Sequence, residues 1–396
     1  MLLGGLRYLL PVIKAAHKQG YHVITADYLP ENIAHKYSDE YVNVSIVDKE
    51  AVLKAAQELR IDGIMSFACD PGVVAASYVQ NKMGLPSFGP FESVEILQNK
   101  DKFRAFLTEH GFNVPVAKGF DNVDNAMEEA ATFPWPVIVK PTDSAGSKGC
   151  SRVDQIEELR PALEKAMNCS ISKHVIVEEF LEKQGFSSDS DSMSIDGKLV
   201  FSSFSSQRFD PASSNPFTPA AYSWPSSFSI EQRNILISEI QRLITLLDLK
   251  TAVFNIEALI GKNGKPYIME LTPRGGGNRL CEMLKYNTGV DLITAVTRYI
   301  VGDSMLDPVK QVECTGHWAE IILHSNREGV FDRIEVDPHL PATIIENDLW
   351  VKPGDTIGSF QGANAAIGTL VLRFNDQQEL NYYLTNQDKW LKVLTK

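Results

Sequence analysis

Residues 252–278 read AVFNIEALIGKNGKPYIMELTPRGGGN, two runs of alternating apolar and polar residues broken by Asn263-Gly264. That dipeptide favours a two-residue hairpin turn, and the register it sets places Glu257 opposite Glu270 and Asn255 opposite Thr272. One face of the hairpin then carries Asn255, Glu257, Glu270 and Thr272. Phe254, Ile256, Ala258, Met269 and Leu271 turn to the apolar side. Opposed side chains lie about 5 Å apart, so two carboxylates repel unless a cation lies between them. Magnesium is commonly held by one or two carboxylates together with phosphate oxygens. A solvent-exposed strand with an unfavourable charge pair is the other reading of the same residues. Pro273-Arg274-Gly275-Gly276-Gly277-Asn278 follows at once, placing a guanidinium suited to phosphate or carboxylate beside backbone that a ligand can approach closely.

The rest of the chain must build a cleft around that hairpin. At 396 residues it exceeds what a single core usually holds, which favours two or three domains. Residues 1–95 alternate short apolar strands (YHVITADY, IDGIMSFACD) with helices near 8–19, 49–60 and 72–83. This rhythm predicts a parallel α/β sheet with ligands at the carboxyl ends of its strands, where Asp27 and Asp70 fall. Gly4-Gly5 lacks the spacing of a GxGxxG dinucleotide site, which weakens a dehydrogenase reading.

A helix predicted from Asn99 stops at Gly111. The strand WPVIVKP ends with Lys140, and the loop TDSAGSKGCS follows it. Ser144, Ser147, Lys148 and Gly149 there offer hydroxyls, backbone amides and a positive charge to phosphates. The loop is not GxxxxGK[ST], so it is not a P-loop. A helix near 154–168 precedes the strand HVIVEEFL, whose end carries Glu178, Glu179 and Leu181. Acids at a strand end are able to accept the exocyclic amine of adenine, although a strand emerging into solvent has the same look. The segment DSMSIDGKLVFSSF reads as a hairpin turned at Asp196-Gly197, and residues 205–229 as a long irregular lid or binding segment. A helix near 230–248 precedes the acidic hairpin. The tail from about 305 reads as β-rich, closed by a helix near 376–393.

Composition removes several classes. The net charge of −12 opposes nonspecific binding to nucleic acid or anionic lipid. No apolar run reaches the roughly 18 residues needed to span a bilayer. The five cysteines are scattered and odd in number, without metal-like spacing, which fits a reducing, cytoplasmic setting.

Taken in order, the Lys140 strand, the serine-glycine loop, the Glu178-Glu179-Phe180-Leu181 strand end and the Glu257/Glu270 hairpin with Arg274 resemble the ATP-grasp superfamily. That group includes biotin carboxylase, glycinamide ribonucleotide synthetase and the large subunit of carbamoyl phosphate synthetase. The resemblance spans roughly residues 1–300 and rests on joint order and spacing rather than on one motif. It implies a pre-ATP-grasp parallel-sheet domain over 1–97, an ATP-grasp domain over 98–304 with a lid subdomain at about 137–204, and a β-rich C-terminal domain over 305–396. It makes Lys100 and Lys140 phosphate contacts, with Lys102 as the alternative to Lys100. The loop Ser144 to Gly149 becomes a phosphate lid, and Glu178, Glu179 and Leu181 become the adenine hinge. Glu257 and Glu270 hold Mg2+ or Mn2+, and Arg274 steadies the transferred phosphate or acyl substrate.

Two departures from the family pattern stand out. Glu270-Leu271-Thr272 replaces the usual Glu-x-Asn, leaving Thr272, Asn278 or water as third metal ligand. The ribose-gripping acid has no plain counterpart, and Asp191 or Asp189 takes its place. Asp70, Arg208 and Asn278 are the expected substrate contacts.

The implied chemistry is ADP-forming: a carboxylate attacks the γ-phosphate of ATP, and an amine displaces phosphate from the acyl phosphate. Small-molecule acid and amine substrates are the expected partners, with a homodimer expected from relatives. A bicarbonate-dependent carboxylase and a noncatalytic ATP-binding module are the competing readings.

Overall fold

The strands and helices expected at the amino end form a parallel sheet. Its strands, in spatial order Glu40–Asn43, Ile24–Asp27, Leu2–Leu3 and Met65–Ser66, all run the same way. Helices Leu10–Lys18, Lys49–Leu59 and Val73–Met83 accompany it. Ile24, Ala26, Val52, Ala56 and Ile64 fill the space between sheet and helices. This computed structural model describes residues 1–130, 132–143, 146–303 and 309–396. Ser144 and the 304/305 division therefore lie outside the described residues.

Two antiparallel four-stranded sheets follow. The first runs in the order Ala117–Phe120, Val175–Glu179, Val137–Pro141, Ser151–Val153 and is backed by helix Leu159–Cys169. The second runs Lys198–Ser202, Ser188–Ile195, Ala252–Ile260, Pro266–Thr272. The span expected as a lid, about 137–204, is thus divided between the two sheets, and the first sheet begins earlier, at Ala117. The Asp196-Gly197 turn has both residues at positive φ, 48° and 77°, as a two-residue hairpin requires.

The 205–229 segment is not an irregular lid. Strands Ser206–Phe209 and Pro219–Trp224 make a hairpin within it. Pro219–Trp224 pairs with His317–Leu323, which continues to Gly368–Phe374 and Thr343–Leu349 in one five-stranded sheet. Tyr222 and Trp224 are fully buried, which explains the aromatics in this Ser- and Pro-rich stretch. The β-rich tail is accordingly joined to the middle of the chain. The predicted last helix also differs: it is Gln377–Thr385 and a short turn Gln387–Trp390, followed by strand Leu391–Thr395 against Gly329–Val336. No described helix is long and apolar enough to cross a membrane.

Candidate active site

The acidic hairpin reaches its expected register by a different route. Asn255 faces Thr272 and Glu257 faces Glu270, but beyond them Ala258 pairs with Ile268 and Ile260 with Pro266. Gly261 N–H donates to the Lys265 carbonyl at 2.9 Å, so the loop is three residues, Lys262-Asn263-Gly264, with Gly264 at φ 77°. A bulge between Glu257 and Ala258 leaves Met269 as the extra residue. The longer loop shifts the register by one and the bulge shifts it back.

On the other side of this strand Asp189 faces Glu257 and Asp191 faces Asn255. Three strands therefore present the row Asp189, Glu257, Glu270. Burial, and then the charge of Glu270, raises the pKa of Glu257. Burial, then Glu257, pushes Asp189 to about 7. Asp189 was weighed in the sequence only for ribose. Here its carboxylate accepts from Asn255 Nδ2 at 2.7 Å and Tyr222 OH at 3.1 Å, which turns it inward.

Cations meet this row from two elements. Lys100 opens helix Lys100–Glu109, whose first turn is capped by Asn99. Its Nζ lies 3.8 Å from Glu270 Oε2. Burial works against its charge, yet Glu270 and more distant acids hold its pKa above the ordinary value. Lys102 is exposed, so of the two lysines it is Lys100 that meets the acid row. Lys140 Nζ stands 2.6 Å from Glu178 Oε2.

Glu178 corrects the adenine expectation. It is fully buried, and Arg104 Nε stands 3.0 Å from its Oε1. Burial alone would raise its pKa, but Arg104 and Lys140 hold it below the usual carboxylate value. A carboxylate enclosed by two cations has nothing left to offer an adenine amine. Glu179, also expected at the hinge, is half-buried, with its N–H bonded to Val116 O at 2.7 Å. Among the described residues the Leu181 peptide group enters no backbone bond.

Asp191 is a second correction. It is 0% exposed and accepts from Gly276 N–H at 2.9 Å, Cys281 Sγ at 2.9 Å and Asn255 Nδ2 at 3.1 Å. A carboxylate so enclosed braces the glycine loop and cannot reach a ribose. Arg208, expected at the substrate, faces elsewhere. It shares a face with Ala221, which packs in the C-terminal core. Its guanidinium donates to Asn381 Oδ1 at 2.9 Å and lies over the Phe186 ring.

The glycine run positions Arg274. Arg274 Nε donates to Asp70 Oδ1 at 2.6 Å, so two expected site residues from distant segments meet directly. Gly275 O accepts from Ala68 N–H at 3.0 Å. A Cβ at Gly275 would stand 2.2 Å from the ring of Phe67, itself 3% exposed. Gly275→Ala is therefore expected to lower stability by about 1–3 kcal/mol through overpacking, read from the denaturant midpoint, and Phe67→Leu should recover part of the loss. A wild-type midpoint for the single variant would refute this close fit. Asn278 and Arg279 both hold positive φ, 49° and 56°, a strain of order 1–3 kcal/mol each that gathers at functional sites. Asn278 bridges Tyr8 OH and Tyr222 OH at 3.0 and 3.1 Å.

Beyond Lys140, Ser147 Oγ donates to Phe217 O at 3.0 Å, and Asn215 Nδ2 donates to Ser147 O at 3.4 Å. The serine-glycine loop is thus docked on the 206–224 hairpin. Lys148 is exposed, and Gly149, at φ 75°, packs where a Cβ would meet Pro141 and Cys169 at 2.9 Å. Lys183, absent from the sequence reading, follows the hinge; burial, opposed by Glu257, lowers its pKa.

Comparison with known proteins accords with this layout. A family model for the ATP-grasp domain matches residues 133–282. The carbamoyl phosphate synthase large chain of Helicobacter pylori is 27% identical over 289 residues, 71% of this chain but 26% of that protein. The chain thus spans about a quarter of the length of this curated relative. The crystal structure of an L-amino acid ligase from Bacillus licheniformis superposes with a TM-score of 0.82 at 19% identity, covering 100% of this chain and 98% of that one. Phosphoribosylglycinamide synthetase from Anaerococcus prevotii superposes with a TM-score of 0.73 at 20% identity, covering 100% and 98%. Residues 133–282 thus match the ATP-grasp domain, and the whole chain shares its fold with these ligase structures.

Proposed function

We propose that this protein is an ADP-forming ligase that joins a small carboxylic acid to an amine-type nucleophile through an acyl phosphate. The observation that carries the reading is the pairing of Glu257 with Glu270 across two strands, with the Lys100 ammonium at 3.8 Å from Glu270. Two facing acids beside a lysine make poor structural neighbours and a good seat for a metal-bound triphosphate.

The donor set suits magnesium or manganese, because both carboxylates are hard oxygen ligands. Among the described residues no group of three or more His, Cys, Asp and Glu is arranged to hold a metal ion, so phosphate oxygens would complete the shell. Bound there, the ion would neutralise developing charge on the phosphates.

The protein's own groups orient the reactants. Lys100 and Lys140 face the phosphates, and the loop 146–149 covers them. The Leu181 peptide receives the adenine edge. Arg274, held by Asp70, aims the acid substrate. A carboxylate oxygen attacks the γ-phosphorus as the bridging β–γ oxygen leaves with ADP. The amine nitrogen then bonds to the acyl carbon, inorganic phosphate departs with the electron pair, and the ammonium proton passes to solvent. Closing the loop keeps water from the acyl phosphate. A reducing, cytoplasmic setting belongs to the proposal, supported by five cysteines that stand unpaired.

The test is direct. Purified protein with MgATP and pooled carboxylic acids and amines is expected to release ADP, with a product whose mass equals acid plus amine less water. ADP release that requires bicarbonate would instead identify a carboxylase. ATP binding without ADP in any mixture would refute the ligase reading.

A further inference from the structure

We propose that Glu320, enclosed beside the glycine loop, anchors a primary ammonium on one of the two substrates. This rests on the ligase reading above. Glu320 lies on strand His317–Leu323, directly opposite Tyr222 on Pro219–Trp224, so both side chains leave the sheet on one face. The Tyr222 hydroxyl joins Asp189 of the acid row to Asn278 of the glycine loop. Tyr8 reaches Asn278 from the N-terminal domain. The carboxyl is thus enclosed beside Tyr222 and near Tyr8 and Arg279; burial acts first on the pKa values of all three, and the charge of Glu320 pushes each upward.

Glu320 is 0% exposed, and neither of its oxygens has a hydrogen-bond partner among the described residues. A buried carboxyl left this way is costly in either protonation state. The nearby cation does not relieve it. Arg279 is already tied to Glu282 through two nitrogens at 3.0 and 3.3 Å, to Glu346, and to Thr369 Oγ1 at 3.2 Å. The mechanism above gives Glu320 no task. A compact donor cation fits what is missing: it supplies N–H groups to the oxygens and sits well against tyrosine rings. A hard metal ion fits poorly, since it calls for roughly six oxygen ligands and Glu320 is a single unengaged carboxyl.

Binding separates this inference from the ligase reading. The probes are the standard L-amino acids and simple alkylamines, each beside the analogue that carries hydroxyl in place of the amine, titrated by thermal shift with a nonhydrolysable MgATP analogue present. At least one amine-bearing probe is expected to bind about ten- to a hundredfold more tightly than its hydroxyl analogue. Glu320→Gln should remove that gap while leaving half-saturation by the MgATP analogue unchanged, and Glu320→Asp should keep part of it. The wild-type comparison stands even if the glutamine variant fails to fold. Equal binding of amines and hydroxyl analogues, no binding of any probe, or an undiminished gap in Glu320→Gln would overturn the inference. ADP release by the wild-type protein would leave the ligase reading intact in each of those cases.

Discussion

Glu270→Ala is expected to lower ADP formation by roughly 10²–10³-fold, the scale of removing one preorganised group that stabilises developing charge, without harming the fold. Stability and activity separate here for a physical reason. In the free protein Glu270 faces Glu257, and that proximity is part of what raises the Glu257 pKa after burial. Removing one of two repelling acids relieves a strain, and the ion pair with Lys100 that goes with it is long, at 3.8 Å, and partly open to water. The thermal midpoint of the free variant should therefore equal or exceed that of wild type. With MgATP the order should invert, because only the wild-type protein gains stability from the bound metal–nucleotide pair. A variant that still makes ADP at the wild-type rate, or still gains stability from MgATP as wild type does, would end the metal assignment.

How much of this site was legible depended on where side-chain periodicity was strong. The Glu257/Glu270 pairing was readable because apolar residues alternate cleanly through both strands. The pairing held although the turn is a three-residue loop, since the bulge beside Glu257 restored the register. The helix opened by Lys100 was readable from its Asn99 cap and Gly111 stop. Strand Ser188–Ile195 was harder to interpret: its sequence SDSDSMSI contrasts polar with polar, so the row position of Asp189 and the enclosure of Asp191 appear only when the neighbouring strands are in place. The 206–224 hairpin was masked by Ser and Pro, and its strands gain their partner from a segment about a hundred residues later. Arg208 was expected at the substrate, and its place opposite Ala221 was hidden for the same reason. Glu178 was placed correctly at its strand end, but its partner Arg104 sits on the helix opened by Lys100, far earlier in the chain. No local pattern links residues so far apart in the chain.

That Arg104–Glu178 ion pair supports the largest stability effect expected here. Arg104 is 3% exposed and Glu178 is 0% exposed. Arg104 also donates through Nη1 to Met269 O at 2.9 Å, tying its helix to the strand that carries Glu270. Arg104→Ala leaves a buried carboxylate with Lys140 alone and a carbonyl without its donor, which should cost about 3–5 kcal/mol and lower the thermal midpoint by roughly 5–15 °C. The pH dependence has a definite sign. Glu178 is held below its ordinary pKa, so its stabilising contribution is complete above the unfolded value of about 4.3 and is lost as pH falls through the lower folded value. Without Arg104 the folded pKa rises, and the acid limb of the stability curve should move to higher pH. In a Glu178→Gln background the same arginine truncation should cost much less, since no buried charge is then stranded. An Arg104→Ala midpoint within about 1 kcal/mol of wild type, or an equal cost in both backgrounds, would show that Glu178 does not depend on this arginine and would reopen its adenine-facing role.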